Sequence, residues 1–173
     1  VLKLKEKIIE AHNTVVFNFG KPEKFAFTPG QYMEWSIPHK NADSRGNRRY
    51  FSISSSPKEE LQIAVRFHEN ASSYKKKLIG MAPGDEIIAS SLAGDFVLPK
   101  NLKEPLVFIA GGIGVEPFRS IINHIVDLNL KTNIILFYSN RSINEIAFKK
   151  EFQEASFFGV KTFYILTDKE RIP

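Results

Sequence analysis

Apolar and polar positions follow two different rules along this chain. Over the first hundred residues, short apolar runs are broken by turn-forming stretches, "GKPEKF", "TPG", "PHKNADSRGN", "SPKEE" and "APGDE". Runs of that length between such breakers read as antiparallel strands. Strands are predicted over residues 2–11, 15–19, 31–37, 49–54, 61–67 and 86–91, and one helix over 72–79, which Ser72 or Ser73 can cap and Gly80 can end. Six short strands at this spacing predict an antiparallel Greek-key β barrel with one helix.

After "LPKNLKEP" the pattern changes. "LVFIA" is apolar throughout, "GGIGVEP" is a glycine-rich turn, residues 118–128 carry helical spacing, and "NIILFY" is again apolar throughout. A further helix is predicted over 143–155 and a further strand over 162–166. Strands apolar on both faces, alternating with helices, predict a parallel α/β sheet with right-handed crossovers. The expected organisation is a β barrel over residues 1–100, followed by a partial α/β nucleotide-binding unit over 105–173. The chain starts inside a strand-like segment and stops just after another, so it reads as a fragment, truncated at the C-terminal end of its second unit.

Composition narrows the chemistry. With 173 residues and 43% hydrophobic content the chain can bury two small cores. It has no cysteine, which removes disulfides, thiolate metal sites and cysteine-held iron–sulfur clusters, and suits a reducing compartment. Any one-electron step must then use an organic cofactor or another polypeptide. The net charge of +5 is modest, and basic residues are scattered apart from Lys75 to Lys77, read as a solvated helix face, and Arg45, Arg48 and Arg49 in one loop. That balance favours phosphate-bearing small molecules or an acidic partner over nucleic acid. No apolar run is long enough to cross a bilayer, and no leader pattern opens the chain. His12, His39, His68 and His124 have no ligand spacing, so no metal site is expected.

The stretch "RYFSISSSP" places a strong cation at the entry of a strand and hydroxyls at its exit. On a strand, Arg49, Phe51 and Ile53 share one face and Tyr50, Ser52 and Ser54 the other. A guanidinium fork suits a diphosphate and a phenyl ring offers a stacking surface, so one ligand carrying both groups would use both. With "FTPGQYMEW" before it and "IAVRFHENASSYKKKL", "SLAGDFVLP" and "IAGGIGVEPF" after it, the sequence resembles the ferredoxin–NADP reductase superfamily, whose members pair an FAD-binding barrel with an NAD(P)-binding domain. Four motifs in the right order, spread over essentially the whole chain, carry that resemblance.

The resemblance implies specific roles. Its Arg-x-Tyr-Ser-x-x-Ser motif falls on Arg49, Phe51, Ser52 and Ser55: Arg49 would bind the FAD pyrophosphate, Phe51 would stack on the flavin, and Ser52 would act near flavin N5. The rival register, Arg48 with Tyr50, would put Phe51 where the hydroxyl belongs. Tyr50 would contact the cofactor or the barrel wall. Val65 and Arg66 match the strand lining the flavin, and Ala71, Ser72 and Ser73 match the turn whose helix start receives the pyrophosphate. Gly94 matches the turn that closes the flavin site. "AGGIGVEPF" is similar to the family's Gly-Gly-x-Gly-x-Thr-Pro, with Gly111, Gly112, Gly114 and Pro117 in place. Glu116 stands where threonine is usual; it is expected to turn away from the dinucleotide phosphates, toward the nicotinamide amide or solvent, because two negative groups would compete there. Ser139 and Arg141 would recognise the adenosine ribose, with a 2′-phosphate favouring NADPH over NADH.

The reading is a flavin-dependent oxidoreductase that takes hydride from NADPH or NADH into FAD, with Ser52 and Glu116 as catalytic candidates. Electrons would pass to an acceptor outside the chain, an iron–sulfur protein, heme or membrane electron-carrier domain, fused or separate. The location implied is the cytoplasm, alone or as the cytoplasmic domain of a larger or membrane-attached protein. Two rival readings remain at this stage: a flavin- or nucleotide-binding regulatory or docking module without hydride transfer, and an unrelated barrel that binds an acidic protein.

Overall fold

The computed structural model describes residues 1–102 and 104–168; Lys103 and residues 169–173, the last of the expected second unit, lie outside the described residues. Six strands, β1 (Leu2–Ala11), β2 (Thr14–Phe19), β3 (Tyr32–Ser36), β4 (Arg48–Ser52), β5 (Leu61–Arg66) and β6 (Glu86–Ala93), form an antiparallel sheet in the order β4-β3-β6-β1-β2-β5. Its two end strands meet just beyond β4. Ser54 N–H donates to the Gln62 carbonyl at 2.9 Å, and Gln62 N–H donates to Ser55 Oγ at 3.1 Å. Hydroxyl-bearing residues thus close the barrel where a continuous ladder would otherwise end. Inside lie Phe17, Phe19, Trp35, Ile53, Ile63 and Ile87, with Tyr74 and Leu78 packed from helix α1 (Ser73–Ile79). Ser72 caps that helix, its Oγ accepting from Lys75 N–H, and Gly80 ends it.

The second unit is a parallel sheet of β7 (Leu106–Gly111), β8 (Ile134–Asn140) and β9 (Val160–Leu166) in that order. A 3-10 turn, Gly112–Val115, leads from β7 into α2 (Glu116–Asp127). Pro117 sits in the first turn of α2, where its missing N–H costs nothing. Ile121, Ile122 and Ile125 of α2 pack on Ala110, Leu136 and Tyr138 of the sheet. On the opposite face Val107, Ile109, Phe163 and Ile165 are exposed.

The helix expected over 143–155 does not form as one piece. A 3-10 turn, Ile143–Glu145, is followed by α3 (Lys149–Glu154) and a second 3-10 turn, Ala155–Phe158, with Phe148 left-handed at φ 59° before α3. The cause is tertiary. Ala147 N–H donates to the Tyr138 hydroxyl and Phe148 N–H to Glu10 Oε1 at 2.7 Å, so both donors serve partners outside the local helix.

The two units share one wall. Strand β5 is buried on both sides: Ile63 and Val65 point into the barrel, while Ala64, with Val16 of β2, belongs to the core built around α2. The linker from barrel to sheet passes directly over Gly30, where a Cβ would lie 1.8 Å from the Phe96 carbonyl oxygen and φ is +99°. Only glycine satisfies both demands.

Candidate functional site

Strand β4 and the loop before it hold a set of cations. Arg49 Nη1 donates to the carbonyls of Arg45 at 2.9 Å and Gly46 at 3.2 Å, Nη2 reaches Asp43 Oδ1 at 3.4 Å, and the guanidinium lies over the Tyr74 ring at 5.1 Å. The side chain is therefore pinned in place. Arg49, Tyr50 and Phe51 line a hollow of about 260 Å³ with Arg45, Ala71, Ser72 and Lys75. Burial pushes the Lys75 amine below its ordinary value, and Arg45, Arg49 and Arg66 push it further, against the opposing pull of Glu116. Four cationic side chains this close repel one another. An anion placed among them relieves that repulsion.

Next to it a second hollow, of about 370 Å³, is lined by Tyr32, Tyr50 and Ser52. The two rings meet edge to face at 5.8 Å, and Tyr50, 63% exposed, donates its hydroxyl to Glu34 at 2.9 Å. Gly94, at φ +112°, presses on Tyr32: a Cβ there would meet the ring at 3.1 Å. Phe51 leans on Tyr74, ring centroids 6.0 Å apart, and faces the cationic hollow. Arg48, the rival of Arg49, is exposed and pairs with Glu34 at 3.6 Å.

The glycine turn forms the other half of the site. Gly111 ends β7 beside Ser139 of β8, at the C-terminal edge of the parallel sheet where ligands of such sheets bind. A Cβ on Gly111 or Gly114 would meet nothing within 4 Å, so the backbone there lies open to close approach. Above Gly112, at φ +50°, stands Arg66, whose Nη1 would be 3.1 Å from an added Cβ. Arg66 pairs with Glu145 at 3.1 Å, donates to the Glu145 carbonyl, and keeps a buried Nε with no partner among the described residues. Arg141 is exposed just past the end of β8.

Other expected residues are put to different use. Ser55 is 0% exposed: its Oγ accepts from Gln62 N–H in the barrel seam and its carbonyl accepts from Ser120 Oγ at 2.6 Å, which leaves no surface for a ligand. Val65, 2% exposed, points into the barrel because strand alternation sends Ala64 and Arg66 the other way. Ser73 faces Asp43, accepting from Asp43 N–H at 3.0 Å while its own N–H donates to Asp43 Oδ2. The first N–H of α1 is thus already satisfied from within, so of that turn Ala71 and Ser72 are what remains to face the hollow.

Glu116 does turn away from the glycine turn, but neither to solvent nor to the open hollow. It is 7% exposed and its Oε1 accepts from Ala64 N–H at 2.7 Å, on the free edge of β5. Burial pushes its carboxyl well above the ordinary value, opposed by that N–H and by Lys75.

Sequence reasoning missed Arg45, Tyr32 and Lys75. For Lys75 a signal existed: it stands three residues after the capping Ser72, one helical turn on, and so shares its face. It also missed the joint between the units. Arg119, 5% exposed, donates to the Ser54 carbonyl at 2.8 Å, pairs with Glu59 at 3.0 Å and Glu151 at 3.3 Å, and lies over the Phe148 ring at 4.8 Å. Ser54, Ser55 and Ser56 all meet α2 in this joint, Ser56 through Asp127.

Residues 108–167 match the family model of the oxidoreductase NAD-binding domain. A flavohemoprotein of Bacillus cereus is 29% identical over 154 residues, which are 83% of this chain and 38% of that protein. The chain thus spans little more than a third of the length of the curated relatives it matches. Among solved structures, the cytochrome P450 reductase GcoB of Amycolatopsis superposes with a TM-score of 0.83 at 25% identity, covering 98% of this chain and 53% of that one. A ferredoxin-NADP+ reductase of Plasmodium falciparum, with 2'P-AMP, gives 0.81 at 21% identity, covering 99% and 75%. No helix among the described residues is long and apolar enough to cross a membrane.

Proposed function

We propose that this chain, whose residues 108–167 match the oxidoreductase NAD-binding domain, is a member of the ferredoxin–NADP reductase superfamily and the flavin- and nicotinamide-binding module of an FAD-dependent NAD(P)H oxidoreductase. The observation that carries this reading is the convergence of Arg45, Arg49 and Lys75 on a hollow flanked by aromatic rings. These residues fit FAD: a polyanionic middle matches the cations, and a flat ring matches the neighbouring hollow of Tyr32, Tyr50 and Ser52. Bound FAD supplies the two-electron chemistry, accepting hydride from the nicotinamide and releasing electrons onward. The protein's part is placement and charge.

Arg49, pinned by the carbonyls of Arg45, Gly46 and Arg48 and by Asp43, holds the diphosphate with little reorganisation, helped by Lys75 and by Ala71 and Ser72 of the α1 turn. Phe51 and Tyr50 offer ring faces, and Ser52 gives a hydroxyl at the lip of the ring hollow. Gly94 closes that hollow against Tyr32. On the other side Gly111 and Gly114 admit the dinucleotide diphosphate to the backbone ahead of Pro117, and Gly112 sits beneath the Arg66 guanidinium, which adds positive charge beside them. Ser139 and Arg141 take the adenosine ribose, and Arg141 favours a 2′-phosphate, hence NADPH over NADH. The division of labour is then residues 1–100 for FAD and 105–173 for the nicotinamide nucleotide. The acceptor is a heme, iron–sulfur or membrane electron-carrier domain, fused or separate, and the cysteine-free chain works in the cytoplasm.

Titration of the purified chain with FAD and with riboflavin, read by flavin fluorescence, tests the assignment. FAD is expected to bind at least about 100-fold more tightly, and Arg49→Ala to lower FAD affinity about 10- to 100-fold with riboflavin unaffected, since a hydrogen bond to a charged group contributes roughly 1.5–3 kcal/mol. Equal binding of the two flavins contradicts the diphosphate site.

A further inference from the structure

The residue that opens α2 is also the residue that touches the flavin-side strand. Glu116 follows the Gly112–Val115 turn without a break, and its side chain crosses the boundary between the two units to accept the Ala64 N–H at 2.7 Å. Ala64 lies two residues before Arg66, which stands over Gly112. Among the described residues strand β5 pairs in a ladder only with β2, so its outer edge presents N–H groups that need partners. Ser55 Oγ takes that of Gln62 and the Glu116 carboxylate takes that of Ala64. The two acceptors differ in kind: Ser55 closes the barrel on itself, whereas Glu116 ties the barrel to the turn that leads into the second unit.

From this we infer that Glu116 is a positioning residue, fixing the spacing between the β5 wall of the flavin site and the glycine turn that receives the nicotinamide dinucleotide. The inference rests on the functional reading above and deepens it. Hydride transfer needs donor and acceptor atoms held at about 3–3.5 Å, and a displacement near 1 Å costs on the order of 100-fold. A buried tie of fixed length, between residues adjacent to both cofactor surfaces, sets that distance. The carboxylate does not itself touch either cofactor, because its oxygen is engaged with β5 and the residue is buried. Nor is its charge what the tie requires. An acceptor oxygen of the same reach serves equally, so the amide of glutamine can replace it and the short alanine side chain cannot.

Anaerobic stopped-flow reduction of the FAD-loaded protein by NADPH, combined with hydrogen exchange of the Ala64 amide, separates positioning from mere stabilisation. For Glu116→Ala the limiting rate is expected to fall at least about 10-fold, while half-saturation by NADPH and retention of FAD stay within about two-fold, the pattern of an interaction that matters only at the transition state. The Ala64 amide is expected to exchange faster in the same variant. Glu116→Gln is expected to recover the rate to within about three-fold of wild type and to restore protection at Ala64. A wild type that bleaches beside a Glu116→Ala variant that bleaches equally fast overturns the inference alone, as does a Glu116→Gln variant as slow as Glu116→Ala. A wild type that binds FAD and is never reduced by NADPH or NADH overturns the functional reading and the inference with it.

Discussion

Arg49 and Glu116 are opposite cases of an ionisable side chain placed near the hollow of β4 and α1. Arg49 is held open to the hollow by backbone carbonyls. Glu116 is shut away, and its folded carboxyl titrates well above the unfolded value near 4.5 because burial disfavours the anion. The sign of the consequence follows from that direction. Between the unfolded and folded values the native state holds a proton the unfolded state has lost, so stability contributed by this group is complete below about pH 4.5 and declines as pH rises toward the folded value. Glu116→Gln removes that slope. In melts from pH 4 to 9 the variant is expected to gain on wild type with rising pH, at up to about 1.4 kcal/mol per pH unit within that window, and parallel curves would contradict it. The place of Arg49 on the hollow was legible because strand alternation and the serine after Phe51 set its register. The destination of Glu116 was not, because the amide it serves is fifty-two residues earlier in the chain.

At the scale of elements, the run Ser54–Ser55–Ser56 shows what a sequence motif hides. Ser55 was expected to serve a ligand, yet the hydroxyls and carbonyls of this run close the barrel and receive α2. No local pattern announces a joint whose second half, Arg119 and Ser120, lies about 65 residues on. The strands of the barrel and the caps of α1 were legible almost residue by residue, since alternation, Ser72 and Gly80 are local signals. The broken helix after β8 was not, because Glu10 of the barrel and Tyr138 take the donors of Phe148 and Ala147. Arg119 ties several elements of this joint together, reaching Ser54, Glu59, Glu151 and Phe148. Its removal leaves Glu59 and Glu151 facing each other without a counter-charge and the Ser54 carbonyl without its donor. Arg119→Ala is accordingly expected to cost about 3 kcal/mol in urea unfolding, the usual scale for breaking a buried pair from one side, and a loss under 1 kcal/mol would contradict that role.

The molecule as a whole is two units joined by a common wall, each carrying one of the proposed binding surfaces. Val16 and Ala64 of the barrel strands belong to the α/β core, and the ties of Glu116, Arg119 and Ser120 cross the same boundary. A rigid joint is what a hydride donor and acceptor held on separate units require. The fold class and the glycine turn were readable from the change of pattern near residue 100, where alternating strands give way to strands apolar on both faces. The one-sided exposure of Val107, Ile109, Phe163 and Ile165 was not, because an apolar run does not say which of its faces is covered. The central claim is that these surfaces bring FAD and a nicotinamide nucleotide together for hydride transfer. Anaerobic addition of NADPH, and separately of NADH, to the FAD-loaded protein, followed by visible absorbance, tests it most directly. The flavin band is expected to bleach with one equivalent of nucleotide, at lower concentrations of NADPH than of NADH; a protein that binds FAD and keeps its full absorbance with both nucleotides would contradict it.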